Sequence, residues 1–407
     1  MNDSQFQKIR AEFPLLSQKI RGKNLVYLDS AASALKPWPV IERLSHFYSY
    51  ETANVHRGAH FLADQATGYY EASREAVRKF LNATTSEEII FTKGATEAIN
   101  LVAQTWGKKY LKSGDEILLT EMEHHANIVP WQMIAEEKGA QIKVVKINDL
   151  GELDLHDAEK KLSSRTKLFA FTACSNTLGT VNDCQKLVSL AHKVGAKVLV
   201  DGAQIVANRP VDLQQIDADF FVFSGHKLFG PYGVGVLFGK NEILESLPPY
   251  QGGGSMISEV TFEKTTYNQV PTRFEAGTPN ISGVIALAPA IDYITKIGWD
   301  SLIEHETKLL KVASERIQEI PGVKIYGQAQ QKAPVLSFLL KGAHQADVGQ
   351  ILDQENVAVR VGHHCTQPLM KRLGISGTVR ASFSVFNNLA DVDALIKGVE
   401  KAKGLLI

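Results

Sequence analysis

The chain has 407 residues, 44% of them hydrophobic and 22% charged, a globular balance that excludes disordered and collagen-like architectures. Its 44 Lys and Arg offset 44 Asp and Glu, so the zero net charge speaks against a nucleic-acid or anionic-membrane footprint. No apolar run reaches the ~20 residues of a membrane span. The start, MNDSQFQKIR, lacks signal-peptide and transit character, and the scattered Cys174, Cys184 and Cys365 suit a reducing, cytoplasmic setting.

Residues 1–20 are expected to form an arm or helix packed on a smaller domain. From about 86 to 240, strand and helix signals alternate. EEIIF (87–91) reads as a short strand, and Ala95 to Tyr110 as a helix with Ile99, Val102, Ala103 and Trp106 on one face. EILLT (116–120) is apolar and unbroken, like a strand covered on both sides. Asn127 is placed to cap a helix ending near Gly139, before strand IKVVKI (142–147). Asp154 with Asp157 opens a helix before KLFAFTA (167–173), and Asp183 caps another that Gly195 stops. KVLVD (197–201), DFFVFS (219–224) and GVGVLF (233–238) complete a mostly parallel sheet with helices on both faces. Beyond about 285 the grain changes. Helices at about 284–296 and 301–319 lead to strands KIY (324–326) and VLSFLL (335–340), then a helix at 346–355. VAVRV (357–361), TVRASFSVF (378–386) and a helix at 390–405 follow. The expected division is the arm (1–20), a large domain (21–285) and a small α+β domain (286–407).

Four pieces of the large domain carry chemistry. In TKGATEAIN (92–100), Gly94, Ala95 and Thr96 precede a helix, where free N–H groups suit an anion, although an ordinary N-cap explains the same residues. His124, after EILLT, is placed to stack on a planar ring. The adjacent His125 suggests a metal, but neighbours on a strand point to opposite faces, so no metal site is expected. Asp201 ends a buried strand at the sheet edge where ligands bind; it either caps the next turn or faces a cation. Lys227, in SGHKLFGPYGVG, sits in a Gly-rich turn after another strand. A lone lysine is ordinarily a surface residue, but in an apolar setting its pKa falls and the amine becomes nucleophilic; Ser224 and His226 beside it suit a phosphate. Together they form the layout that pyridoxal 5′-phosphate requires: a Schiff-base lysine, a carboxylate for the pyridinium nitrogen and a helix start for the phosphate.

In these motifs the chain resembles the class V, NifS-like enzymes. AVRVGHHCTQPLM (358–370) is similar to the group II cysteine desulfurase signature R-x-G-H-H-C-A. LDSAAS (28–33), NVHRGAH (54–60), MEHHANIVPWQ (122–132), VDGAQ (200–204), GGGSMI (252–257) and RFEAGTPN (273–280) resemble SufS-type members, over about residues 10–400. Thr366 stands where the family usually has alanine, and a β-branched hydroxyl there alters loop stiffness.

The resemblance implies the α/β aminotransferase fold type I and a set of roles. Lys227 holds the cofactor and acts as base at the substrate Cα. His124 stacks on the ring, Asp201 pairs with its nitrogen and Gln204 contacts its oxygen. Ala95, Thr96, Ser224 and His226 bind the phosphate, and Thr278 reaches the phosphate of a partner subunit in a homodimer. Arg380 clamps the substrate carboxylate, with Asn176 and Ala31 close by, while His56, Arg57 and Arg360 line the sulfur side. L-cysteine becomes alanine and Cys365 takes the sulfur as a persulfide, for a SufE- or SufU-type acceptor and Fe–S cluster assembly. Selenocysteine lyase is the nearest alternative. A non-catalytic sulfur or zinc carrier is another, against which Lys227 argues. The residues themselves agree for Cys365, which has Arg360, His363 and His364 within five positions, an electropositive setting. Cys174 and Cys184 flank apolar segments and read as buried hydrophobes. His344 reads as a surface histidine or as an acceptor contact.

Overall fold

The structure, a computed structural model, describes residues 3–407. Seven strands make the large sheet: β1 (Ile89–Thr92), β2 (Glu116–Thr120), β3 (Gln141–Val145), β4 (Thr166–Thr172), β5 (Lys197–Asp201), β6 (Phe220–Ser224) and β7 (Gly235–Gly239). Their order is β1-β7-β6-β5-β4-β2-β3, and only β7 runs against its neighbours. Every residue of β1, β2, β6 and β7 is buried, which is why these runs are apolar without alternation. The pleat sends Phe171, Phe221 and Phe223 into one core with Tyr70 and Val77, and Ala170, Phe220 and Val222 into the other with Ile99 and Trp131.

Two local expectations change. The helix from Ala95 to Tyr110 contains a π turn at Ala103–Gly107, where the Thr105 hydroxyl bonds back to the Leu101 carbonyl at 2.7 Å. Asn127 does not cap the Val129–Lys138 helix. Its side chain is taken by Glu123 (2.7 Å) and Trp131 (2.8 Å), and Pro130 sits in the helix's first turn, where a missing N–H costs no intrahelical bond.

The second sheet holds β8 (Val323–Tyr326), β9 (Val335–Leu340), β10 (Arg360–Gly362) and β11 (Thr378–Ser382), antiparallel in the order β8-β9-β11-β10. The VAVRV run splits. Val357–Ala358 pairs in parallel with Val26–Tyr27, and only Arg360–Gly362 joins β11. Leu28 is consequently buried in the second sheet's core. Conversely, the Leu287–Ile297 helix buries Leu287, Ala290, Ile291 and Ile294 in the large core. Packing therefore departs from the expected divisions after residues 20 and 285. The N-terminal helix Asp3–Ala11 and its following turn touch both bodies rather than the small one alone. Arg10 pairs with Asp391 of the closing helix (2.8 Å), while Phe13 packs against Phe229, Tyr293 and Phe386. No single helix among the described residues is long and apolar enough to cross a membrane.

Gly235, at the start of β7, lets the chain pass the turn after β1: a Cβ there would lie 2.4 Å from the Gly94 Cα. Gly235→Ala is expected to cost about 2 kcal/mol of stability by overpacking, read as a lower denaturation midpoint; an unchanged midpoint would contradict this contact.

Candidate active site

Parallel strands deliver their carboxyl ends to one sheet edge, and that edge collects the chemistry. Past β1, the Ala95 N–H at the start of its helix donates to the Ser224 hydroxyl at the end of β6 (2.9 Å), leaving a polar helix start suited to an anion. Asp201 closes β5 and accepts the Ala203 N–H at 3.0 Å, so it does hold the next turn. It also interacts with Lys227, in the single turn that follows β6. Burial pulls the Lys227 amine below the ordinary lysine range and the Asp201 charge opposes this; burial pushes the Asp201 carboxyl upward and Lys227 opposes that.

His124 follows β2. Its Nδ1 accepts the Ala126 N–H at 3.1 Å, and burial, then the Lys227 charge, lowers it to about 4. The ring is thus neutral at neutral pH, with its proton on Nε2. Burial likewise lowers His226 to about 4, and its ring stacks on Tyr232. The Gln204 amide donates to the Ala31 carbonyl at 2.7 Å.

The second sheet closes the opposite side. Arg380, on β11 and 2% exposed, donates from Nη1 to the Asn176 carbonyl (2.9 Å) and from Nη2 to Asp29 (3.4 Å). Its buried Nε has no partner. Arg360, on β10, holds Asp29 through two bonds of 3.1 and 2.9 Å. Just beyond β10, His364 (φ 52°) and Cys365 (φ 58°) are both left-handed, a costly backbone for such residues. Bonds from the large body hold them: the Asn176 amide to the His364 carbonyl (2.8 Å), and the His125 N–H to the Cys365 carbonyl (2.7 Å). Thr366 is fully buried, bonded to the His363 carbonyl (2.9 Å) and 3.0 Å from the Thr177 hydroxyl. The hydroxyl that alanine lacks is one more tie between loop and large body. Cys365 itself is exposed.

A cavity of about 270 Å³ lies between the two sheets. Cys365, Lys227, His124, Asp201, Gln204, Ala95, Thr96, Ser224, His226, Arg380, Asn176, Arg360 and Ala31 all line it. His56, Arg57 and Thr278 do not. His56 pairs with Glu71 at 2.9 Å and sets its ring edge-on to Tyr70, and Arg57 and Thr278 are exposed. His344 is also exposed and caps the Gln345–Gln354 helix through Nδ1. Cys174 lines the cavity too, although burial pushes its thiol up to about 12, as befits an inert thiol. A larger cavity of about 450 Å³, beside Lys8, Pro39 and Tyr293, holds none of this chemistry.

Two residues escaped the sequence reading. Asp29 meets arginines 331 and 351 positions away, so no local signal announces it. Glu123, next to His124, is fully buried, where it is bonded to Thr120, Asn127 and the Thr172 N–H. Its place between the apolar run EILLT and the His124–His125 pair was the available signal.

The large parallel sheet, the small antiparallel sheet and the lysine between them form the fold of pyridoxal-phosphate-dependent class V aminotransferases. The chain belongs to the class-V aminotransferase family, whose model matches residues 26–395. It is 49% identical over 394 residues to a cysteine desulfurase of Synechococcus elongatus, covering 97% of this chain and 63% of that protein. It is 46% identical over 401 residues to a cysteine desulfurase of Pectobacterium carotovorum, covering 98% of each. The crystal structure of the cysteine desulfurase CsdA from Escherichia coli superimposes with a TM-score of 0.93 at 40% identity, over 100% of both chains. The chain spans less than two thirds of the length of the Synechococcus protein (63%) and of two further curated relatives (65% and 57%).

The family's cofactor is pyridoxal 5′-phosphate, and the donor set fits it. Lys227, an amine of lowered basicity, would meet the aldehyde carbon, and the Asp201 carboxylate the ring nitrogen. The helix start after Ala95, including Thr96, and the Ser224 hydroxyl proton would face the phosphate.

Burial pushes the Glu123 carboxyl up to about 8, against its three hydrogen bonds. It stays protonated in the folded chain while an unfolded glutamate ionises near about 4.3. Its contribution to stability is full below that value and is lost as pH rises to about 8. Glu123→Gln, neutral throughout, is expected to flatten the decline of denaturant stability between about pH 5 and 8; an unchanged slope would count against a neutral Glu123.

Proposed function

We propose that the chain is a group II, SufS-like cysteine desulfurase. It converts L-cysteine to L-alanine and takes the sulfur onto Cys365 as a persulfide, for an acceptor protein of the SufE or SufU type and for Fe–S cluster assembly. The observation that carries this reading is Cys365: an exposed thiol in a strained loop, on the lip of the cavity that also holds Lys227 and the unpartnered Arg380 Nε. Relatives called cysteine desulfurases at 46–49% identity support it.

When bound, pyridoxal phosphate supplies an electron-withdrawing ring that weakens the bonds around the substrate Cα. The residues do the rest. Arg380 binds the substrate α-carboxylate, which satisfies its buried Nε–H with a charge-assisted bond. Lys227, whose lowered basicity favours the free amine, removes the Cα proton and returns it. The neutral His124 ring would lie beside the cofactor ring and keeps a donor at Nε2. Asp201 would hold its carboxylate toward the ring nitrogen. The Cys365 thiolate attacks the substrate sulfur: an S–S bond forms as the Cβ–S bond breaks, the bonding pair passes to Cβ, and Cβ takes a proton to become the methyl group of alanine, leaving a Cys365 persulfide. The exposure of Cys365 then opens the persulfide to an acceptor. The reading includes a homodimer, in which Thr278, exposed and outside its own chain's cavity, would reach the phosphate site of the partner subunit. It also includes a cytoplasmic setting, which suits three free thiols.

The purified protein reconstituted with pyridoxal phosphate is expected to be yellow, and Lys227→Ala to lose that visible absorbance; a wild type that stays colourless would refute the cofactor assignment. Cys365→Ala is expected to keep the colour but lose L-cysteine turnover by at least ~100-fold, about 3 kcal/mol of barrier. Selenium leaves carbon more readily than sulfur, so the same variant retains most of its turnover of L-selenocysteine. Persistent cysteine turnover, or wild-type Cys365 that never gains a sulfur by mass spectrometry, would overturn the mechanism.

A further inference from the structure

Arg360 and Arg380 stand directly opposite one another on the adjacent antiparallel strands β10 and β11. Like charges in that register repel, so the pair needs a counter-charge. Asp29 supplies it from the other end of the chain. Its backbone is pinned by a parallel bridge to Ser382 and by the Ser382 N–H bonding to the Leu28 carbonyl at 2.8 Å. Its carboxylate engages Arg360 with both oxygens (3.1 and 2.9 Å) and Arg380 with one (3.4 Å). The Arg360 fork is thereby occupied, whereas Arg380 keeps one buried N–H, at Nε, without a partner, and the three residues together carry a single positive charge.

We propose that Asp29 is a specificity-determining residue: by cancelling Arg360, it disfavours amino dicarboxylates relative to amino acids with a single carboxylate. The inference rests on the reading of Arg380 as the partner of the substrate α-carboxylate. With that carboxylate on Arg380, the substrate side chain extends toward Cys365, and Arg360 lines the same cavity. A second carboxylate arriving there meets an arginine already neutralised, with the Asp29 charge behind it. Without Asp29, Arg360 becomes a second carboxylate receptor.

The test uses the reconstituted holoenzyme and two probes of fixed chemistry, L-alanine and L-aspartate, with dissociation constants from calorimetry. Asp29→Asn is expected to tighten L-aspartate relative to L-alanine by about tenfold or more, which is 1.4 kcal/mol or more. Asp29→Asn with Arg360→Gln removes the uncancelled cation and returns the ratio to about the wild-type value. An unchanged ratio in folded Asp29→Asn, a shift that survives in the double variant, or loss of both ligands by a folded Asp29→Asn would each overturn the proposal. Arg380→Gln separates the two readings. If it binds L-alanine as well as the wild type does, the carboxylate assignment fails, and the role of Asp29 fails with it. If it loses L-alanine while Asp29→Asn leaves the ratio unmoved, only the role of Asp29 fails.

Discussion

Two opposite charges, Lys227 and Asp201, are held out of water at one edge of one sheet. Burial works against both charged forms and each partially restores the other, so neither is stable there alone. The parallel strands satisfy this constraint: their carboxyl ends converge, so β5 and β6 bring the two groups together from adjacent positions in the sheet. The single antiparallel strand, β7, lies between β1 and β6, and its Gly235 leaves room for Gly94 in the turn after β1. The same burial that weakens the lysine as a base makes it useful as a nucleophile.

The second body exists, in this view, to close that edge. Its sheet contributes two arginines and the cysteine loop, and it is tied to the first body by bonds at the active site itself. Asn176, His125 and Thr177 of the large body hold residues 364–366, and Arg380 reaches back to the Asn176 carbonyl. Two consecutive left-handed residues persist because the surroundings over-determine them. Exposure of the thiol and rigidity of its backbone are thus obtained together, an arrangement suited to a sulfur that must be handed on.

The fold was legible wherever one physical signal dominated. Unbroken apolar runs marked β2, β5 and β6, because strands covered on both faces need no alternation. The strand-end Asp201 and Lys227 were legible for the same reason, since a parallel sheet determines which end of a strand meets a ligand. Signals failed where local chemistry had two uses. Asn127 looks like a helix cap, but a buried carboxylate and an indole compete for it and win.

By itself, the sequence determined the alternating α/β order, the mostly parallel sheet and the motifs that pair a lysine, an aspartate and a histidine at one edge, because each depends on periodicity or on residues close in the chain. Tertiary structure alone decided the rest. It returned residues 26–28 to the C-terminal body and residues 287–297 to the large core. It gave Thr366 a hydroxyl partner, left His56, Arg57 and Thr278 outside the cavity, and set Asp29 between two arginines more than 300 positions away. These are pairings between distant segments, and the energy that selects them, burial of apolar stripes and neutralisation of opposed charges, has no expression in any local stretch of sequence.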